Sequence, residues 1–130
     1  MALITADTTF LIDLSREFGK KTGLVHGFLH DHLSDEFAVS ATALGEFAAG
    51  FADLRETAFV VLKSRFKLLP IGEEESWHYR EIFRFLKARG QLIGANDLWI
   101  AATALRHDAF LVTRNAQEFL RVPGLKVLSY

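Results

Sequence analysis

LITADTTFLID, residues 3–13, decides the fold. The short apolar run ALITA at 2–6 ends abruptly at Asp7, and Thr8–Thr9 then open a helix that reaches about Phe18 and closes at Gly19. A strand that passes straight into a helix is half of a crossover unit. Such units return the chain to the same edge of a sheet, so repeated strand–helix alternation builds parallel strands with helices on both faces.

The rest of the chain repeats the pattern. A second helix is expected over 22–33 and a short buried strand, FAVS, over 37–40. From Ala41, the residues Leu44, Phe47, Ala48, Phe51, Leu54, Ala58, Val61 and Leu62 recur at spacings of three and four. That periodicity predicts one amphipathic helix of about six turns, weakened by Gly45 and Gly50. KLLPI at 67–71 is strand-like, with Pro70 marking an edge or a strand end. Glu73, Glu74 and Glu75 suit the positive end of a helix running to Arg89, with Trp77, Ile82, Phe85 and Leu86 as core contacts and Gly90 as its stop. A helix at 97–107, a strand at 110–113, a short helix at 116–120 and a strand at 125–129 complete an α/β chain with a mostly parallel sheet.

With 130 residues, half of them hydrophobic and 12 of them Phe, the expectation is one domain over 1–130 with one core. The absence of cysteine removes thiolate nucleophiles, zinc–thiolate centres and disulfides. No basic region precedes the N-terminal apolar run, and no run approaches the roughly 20 residues needed to span a bilayer, so a cytoplasmic protein without membrane contact is expected. A net charge of −1 gives no global pull toward nucleic acid. An acidic site would, however, mask a basic rim in that sum, and Arg16, Lys20, Lys21, Arg84, Lys87, Arg89 and Arg114 are rim candidates as well as ordinary solvated side chains.

Three acids, Asp7, Glu46 and Asp97, each stand where an expected apolar strand hands over to a helix or just inside the helix that follows. In an open parallel sheet that is the crevice outside the carboxyl ends of the strands, where ligands bind. Each has a structural explanation of its own. Asp7 caps the following helix, Asp97 favours a helix dipole after an Asn96 N-cap, and Glu46 is an exposed flank. Taken together, acids at one crevice repel each other unless a cation neutralises them, and a hard divalent metal prefers carboxylate oxygens. Asn115 with Glu118 has the signature of a capping box. Thr113, at a strand end, is able to bond a carboxylate or a metal's water. His26 and His30 have the spacing of paired metal ligands but no third ligand, and read as surface histidines.

The residues Asp7-Thr8 with Phe10-Leu11-Ile12-Asp13, Glu46 about forty residues on, the stretch IGANDLWIAA at 93–102, and Leu111-Val112-Thr113-Arg114-Asn115 followed by Phe119 together resemble a PIN domain, and within it the VapC-type toxins. The resemblance runs essentially end to end. It implies a PIN-like three-layer fold with four or five strands, and a Mg²⁺- or Mn²⁺-dependent endoribonuclease acting on an RNA substrate. It also implies a homodimer held inactive by a cognate antitoxin. The family's acidic positions fall on Asp7, Glu46 and Asp97. The mechanism it suggests has Asp7 and Asp97 binding Mg²⁺ directly, Glu46 binding it through water or orienting the attacking water, and Asn115, Thr113 and Thr8 in support. Asn115 stands where the family often has a further acid, which favours one metal over two.

Two other classes compete. A receiver-like signalling domain shares the size and alternation, but Asp7 stands alone after its strand and neither 37–40 nor 67–71 ends in Asp. A catalytically silent binding module would keep the fold but has no need of three acids. The helices expected at 41–62 and Trp77–Leu86 carry more large apolar residues than one core stripe requires. They are the expected walls of a groove for the antitoxin, or else core.

Overall fold

The computed structural model describes residues Met1–Tyr130. Five strands form one sheet: β1 (Leu3–Ala6), β2 (Glu36–Ser40), β3 (Lys67–Leu69), β4 (Phe110–Val112) and β5 (Lys126–Leu128). Every pairing is parallel and the order is β3-β2-β1-β4-β5. Helices α1 (Thr8–Arg16), α2 (Leu24–Asp31), α3 (Ala41–Ala48), α4 (Thr57–Ser64), α5 (Glu73–Ala88), α6 (Ala95–Arg106) and α7 (Ala116–Phe119) make the connections. None is long and apolar enough to cross a membrane.

The N-terminal strand lies at the centre. β1 pairs with β2 on one side and β4 on the other, with Ala6 opposite both Val39 and Val112. The chain first adds strands outward on the β2 side and then jumps back across β1 to add β4 and β5. The carboxyl ends of β1 and β4 therefore flank the topological switch point, where the connections diverge and leave a crevice. β3, ending before Pro70, is an edge strand as its proline predicts.

The core explains why α1 forms where it does. Phe10, Leu11 and Leu14, at helical spacing, are at most 2 % exposed and pack with Ile4, Ala6, Leu98, Ile100, Leu111 and Phe119. Losing one such Leu to Ala costs roughly 2–5 kcal/mol. Gly19 and Gly90 adopt positive φ of 81° and 64° just beyond the ends of α1 and α5, where a side chain would be strained.

Three expectations need correcting. The single helix over 41–62 is two helices, α3 and α4, separated by a turn over 49–56. Asp53 accepts from the Arg55 backbone N–H at 2.8 Å, and Phe51 meets Phe47 and Phe59 at ring distances of 5.1 and 5.2 Å. The apolar periodicity is real, but it describes an aromatic cluster around which the chain folds back. Trp77 is not a core contact. The buried side of α5 is Glu75, Ile82 and Leu86, and Trp77 faces away with 57 % exposure. Finally, α6 begins at Ala95 with Gly94 as N-cap, so Asn96 lies inside the helix and its side chain is free for another partner.

Candidate active site

Asp7 follows β1 directly and is 3 % exposed. Its Oδ1 accepts from the Phe10 backbone N–H at 3.0 Å, capping α1, and from Thr9 Oγ1 at 2.7 Å. Its Oδ2 accepts from Thr113 Oγ1 at 2.6 Å, across from the end of β4. Capping and a place at the switch point therefore coincide in one carboxylate. Burial pushes its pKa up, and its hydrogen bonds pull in the opposite direction without prevailing.

Asp97 sits in the first turn of α6. Its pKa is raised to about 6, first by burial and then by the neighbouring carboxylates of Glu118, Asp7 and Glu46. Glu118, on α7, is the first of these charged neighbours. Glu46, on the exposed side of α3, accepts from Thr8 Oγ1 at 2.6 Å and from Asn96 Nδ2 at 3.2 Å. Thus Asp7, Glu46 and Asp97 do come together, and Glu118 and Asn96 join them.

Glu118 is the residue the sequence hides. It has the spacing of a capping box with Asn115, but Asn115 makes no side-chain cap hydrogen bond and the Glu118 charge instead acts on Asp97. Asn115 lies at the exposed edge, its backbone N–H donating to Thr113 Oγ1 at 2.9 Å. The histidine pair has no part here. His26 Nδ1 lies 2.6 Å from Glu17, and His30 is solvent-exposed beside Asp31 at 3.7 Å.

No group of three or more acidic or histidine side chains is arranged to hold a metal ion as the side chains stand. The donor set nonetheless fits a hard divalent cation. Every ligand atom available is a carboxylate or amide oxygen. Asp97 is held above its ordinary range partly by its acidic neighbours, which is the repulsion a cation removes. Glu46 is exposed and held by only two side-chain hydrogen bonds, so its carboxylate is free to turn inward.

Of the rim candidates, Arg16, Lys20 and Arg114 line one cavity near this site. Lys87 and Arg89 instead cover the Phe83 and Phe85 rings.

Comparison with known proteins places the chain in a family. Residues 4–125 match the PIN domain family. Ribonuclease VapC1 of Methanocaldococcus jannaschii is 35 % identical over 127 residues, 95 % of this chain and 85 % of that protein. Ribonuclease VapC1 of Rickettsia felis is 43 % identical over 68 residues, 52 % of this chain and 51 % of that protein. The chain thus spans about half the length of such Rickettsia relatives. Among solved structures, VapBC-1 of nontypeable Haemophilus influenzae superimposes with a TM-score of 0.80 at 28 % identity, covering 98 % of this chain and 97 % of that one. The VapBC2 complex of R. felis bound to promoter DNA has the same fold, with a TM-score of 0.85 at 24 % identity and 98 % of both chains covered.

Proposed function

Because the chain belongs to the PIN domain family and to its VapC-type branch, we propose that it is a divalent-metal-dependent endoribonuclease, the toxin of a toxin–antitoxin pair. The functional unit is the single domain of residues 1–130. The observation that carries the reading is the meeting of Asp7, Glu46, Asp97 and Glu118 at the switch point, with Asp97 raised to about 6 by burial and by the other three. A structural role does not require four acids at one crevice, because it leaves their repulsion uncompensated.

Asp7 and Asp97 would hold Mg²⁺ or Mn²⁺ directly, with Glu46 reaching it through water. When bound, the cation lowers the pKa of a coordinated water and neutralises charge developing on the phosphate. The chain's own residues prepare the place. Thr9 and Thr113 fix the Asp7 carboxylate in one orientation from opposite sides. Thr8 and Asn96 hold Glu46 at the rim, positioned to orient the water that attacks phosphorus. Glu118 adds negative charge beside Asp97, and so helps hold the Asp97 carboxyl above its ordinary range. Asn115 adds a neutral amide where a further charge would deepen the repulsion. Two direct carboxylates suit Mg²⁺, which takes one or two and keeps several waters.

The partner expected in the cell is an antitoxin that docks on apolar surface. Leu54 and Val60, on the α3–α4 segment, and Trp77 on α5 are each more than half exposed and supply such surface. A homodimer is the expected assembly.

The test is cleavage of a mixed single-stranded RNA by the purified protein. Activity should appear with Mg²⁺ or Mn²⁺, vanish with a chelator, and be lost in Asp97→Asn. Chelator-resistant cleavage, or full activity in that variant, would refute the assignment.

A further inference from the structure

We propose that the cavity of about 450 Å³ lined by Arg16, Lys20, Arg114 and Tyr130 is a subsite for an RNA backbone phosphate beside the one that is cut. The inference rests on the ribonuclease reading and deepens it.

Location comes first. Thr9 Oγ1 donates to Asp7 Oδ1 at 2.7 Å and accepts from the Arg114 backbone N–H at 3.2 Å. One hydroxyl therefore joins the acidic crevice to the cavity wall, which puts the two sites side by side.

The charges point the same way. Asp13 is only 17 % exposed and accepts from Tyr130 Oη at 2.6 Å and from Arg114 Nη1 at 3.0 Å, with Arg16 3.5 Å away. Glu17 directs its carboxylate inward, accepting from the backbone N–H groups of Val25 and His26, both at 3.0 Å. Both local carboxylates are thus committed within the protein, while the cations keep capacity in reserve. Arg114 uses only Nη1, leaving Nε and Nη2 without protein partners. Lys20 is exposed and has neither an ion pair nor a side-chain hydrogen bond. Arg114 is pre-organised by Asp13, so binding an anion orders less side chain than a free arginine would.

There is also an electrostatic need. A polyanion approaching Asp7, Glu46, Asp97 and Glu118 is repelled unless cations sit alongside, and single-stranded nucleic acid is held by basic grooves with aromatic or apolar walls. Tyr130, edge-on to Phe10 at 5.1 Å, and exposed Leu24 form that wall.

The test measures binding of a single-stranded RNA oligonucleotide as a function of salt, in the Asp97→Asn background so that no cleavage intervenes. Combining Lys20→Ala with Arg16→Ala changes exposed side chains and leaves the Asp13–Arg114 pair in place. Affinity at low salt should fall about tenfold, and the slope of log affinity against log salt should shrink by about 0.7 for each phosphate no longer neutralised. Lys63→Ala, on the exposed side of α4, should leave both unchanged. An unaltered slope in the Lys20/Arg16 double variant, or an equal loss from Lys63→Ala, overturns the subsite. Failure of the ribonuclease reading would show separately, as absence of cleavage by the unmodified protein, while the salt slope still decides whether the cavity holds a phosphate.

Discussion

Thr113 Oγ1 donates to Asp7 Oδ2 at 2.6 Å and so ties together residues 106 positions apart. The bond lies within the chain's interior, since both residues are buried. A hydrogen bond to a buried ionised carboxylate is worth more than a neutral one, about 1.5–3 kcal/mol. Thr113→Val keeps the shape of the side chain and removes the donor. It should destabilise the protein by about 1–3 kcal/mol, read as a lower urea midpoint at neutral pH. An unchanged midpoint would mean that the bond contributes nothing.

Asp97→Asn should have the opposite effect on stability in the absence of metal. The carboxyl has a folded pKa of about 6 against an ordinary 3.8, so the native state binds its proton more tightly than the unfolded state does. Between about pH 4 and 6 the wild-type protein must therefore lose stability as pH rises. Asparagine does not titrate and escapes that loss. Allowing for solvent screening of a half-buried group, the variant should be more stable by about 1 kcal/mol at pH 7. That gain should close as pH falls toward 4. Denaturation curves across this range decide it, and a gain that grows toward low pH would show the sign to be wrong.

Metal binding should follow the same proton. A divalent cation displaces it, so Mn²⁺ affinity should rise with pH up to about 6 and then flatten. Glu118 is the first charged neighbour holding Asp97 up. Glu118→Gln should therefore move the midpoint of that profile to lower pH, whatever it does to maximal affinity. Calorimetric titrations at several pH values read this directly, and identical profiles for the two proteins would remove Glu118 from the site.

A fourth expectation lies outside the site. Thr5, on the central strand, is fully buried and its hydroxyl has no hydrogen-bond partner. A buried hydroxyl without a partner loses its hydration uncompensated. Thr5→Val, of nearly the same shape, should raise stability by about 1 kcal/mol and leave RNA cleavage unaltered. A loss of stability would point to an ordered water at that hydroxyl.

The strand–helix alternation was legible in the sequence because strands here end in residues with a local task. Asp7 caps α1 and Ser40 caps α3, accepting from Ala43 N–H at 3.1 Å. Asp7 and Thr113 could be singled out for the same reason, whereas Asp97 follows no strand, because α6 comes directly after α5. Periodicity misled where Phe47, Phe51 and Phe59 satisfy each other across a turn, since the same spacing suits a continuous helix. Glu118 could not be found locally. Its spacing from Asn115 is that of a capping box, and only the packing of α6 beside β4 brings Asp97 to it. The gathering of Arg16, Lys20 and Arg114 is likewise tertiary, depending on Asp13 to join the first helix to the residue after β4.

The central place of β1 also governs when, during synthesis, the acidic crevice can exist. β1 must be paired on both sides, yet it leaves the ribosome long before its second neighbour, β4, which begins only at Phe110. Until then Asp7 has no Thr113 beside it, and Glu118 has yet to be synthesised. A nascent or prematurely terminated chain therefore carries most of the sequence and no assembled crevice. Closure comes late in translation, so products ending before β4 should gain no Mn²⁺ site, whatever they retain of the N-terminal sequence.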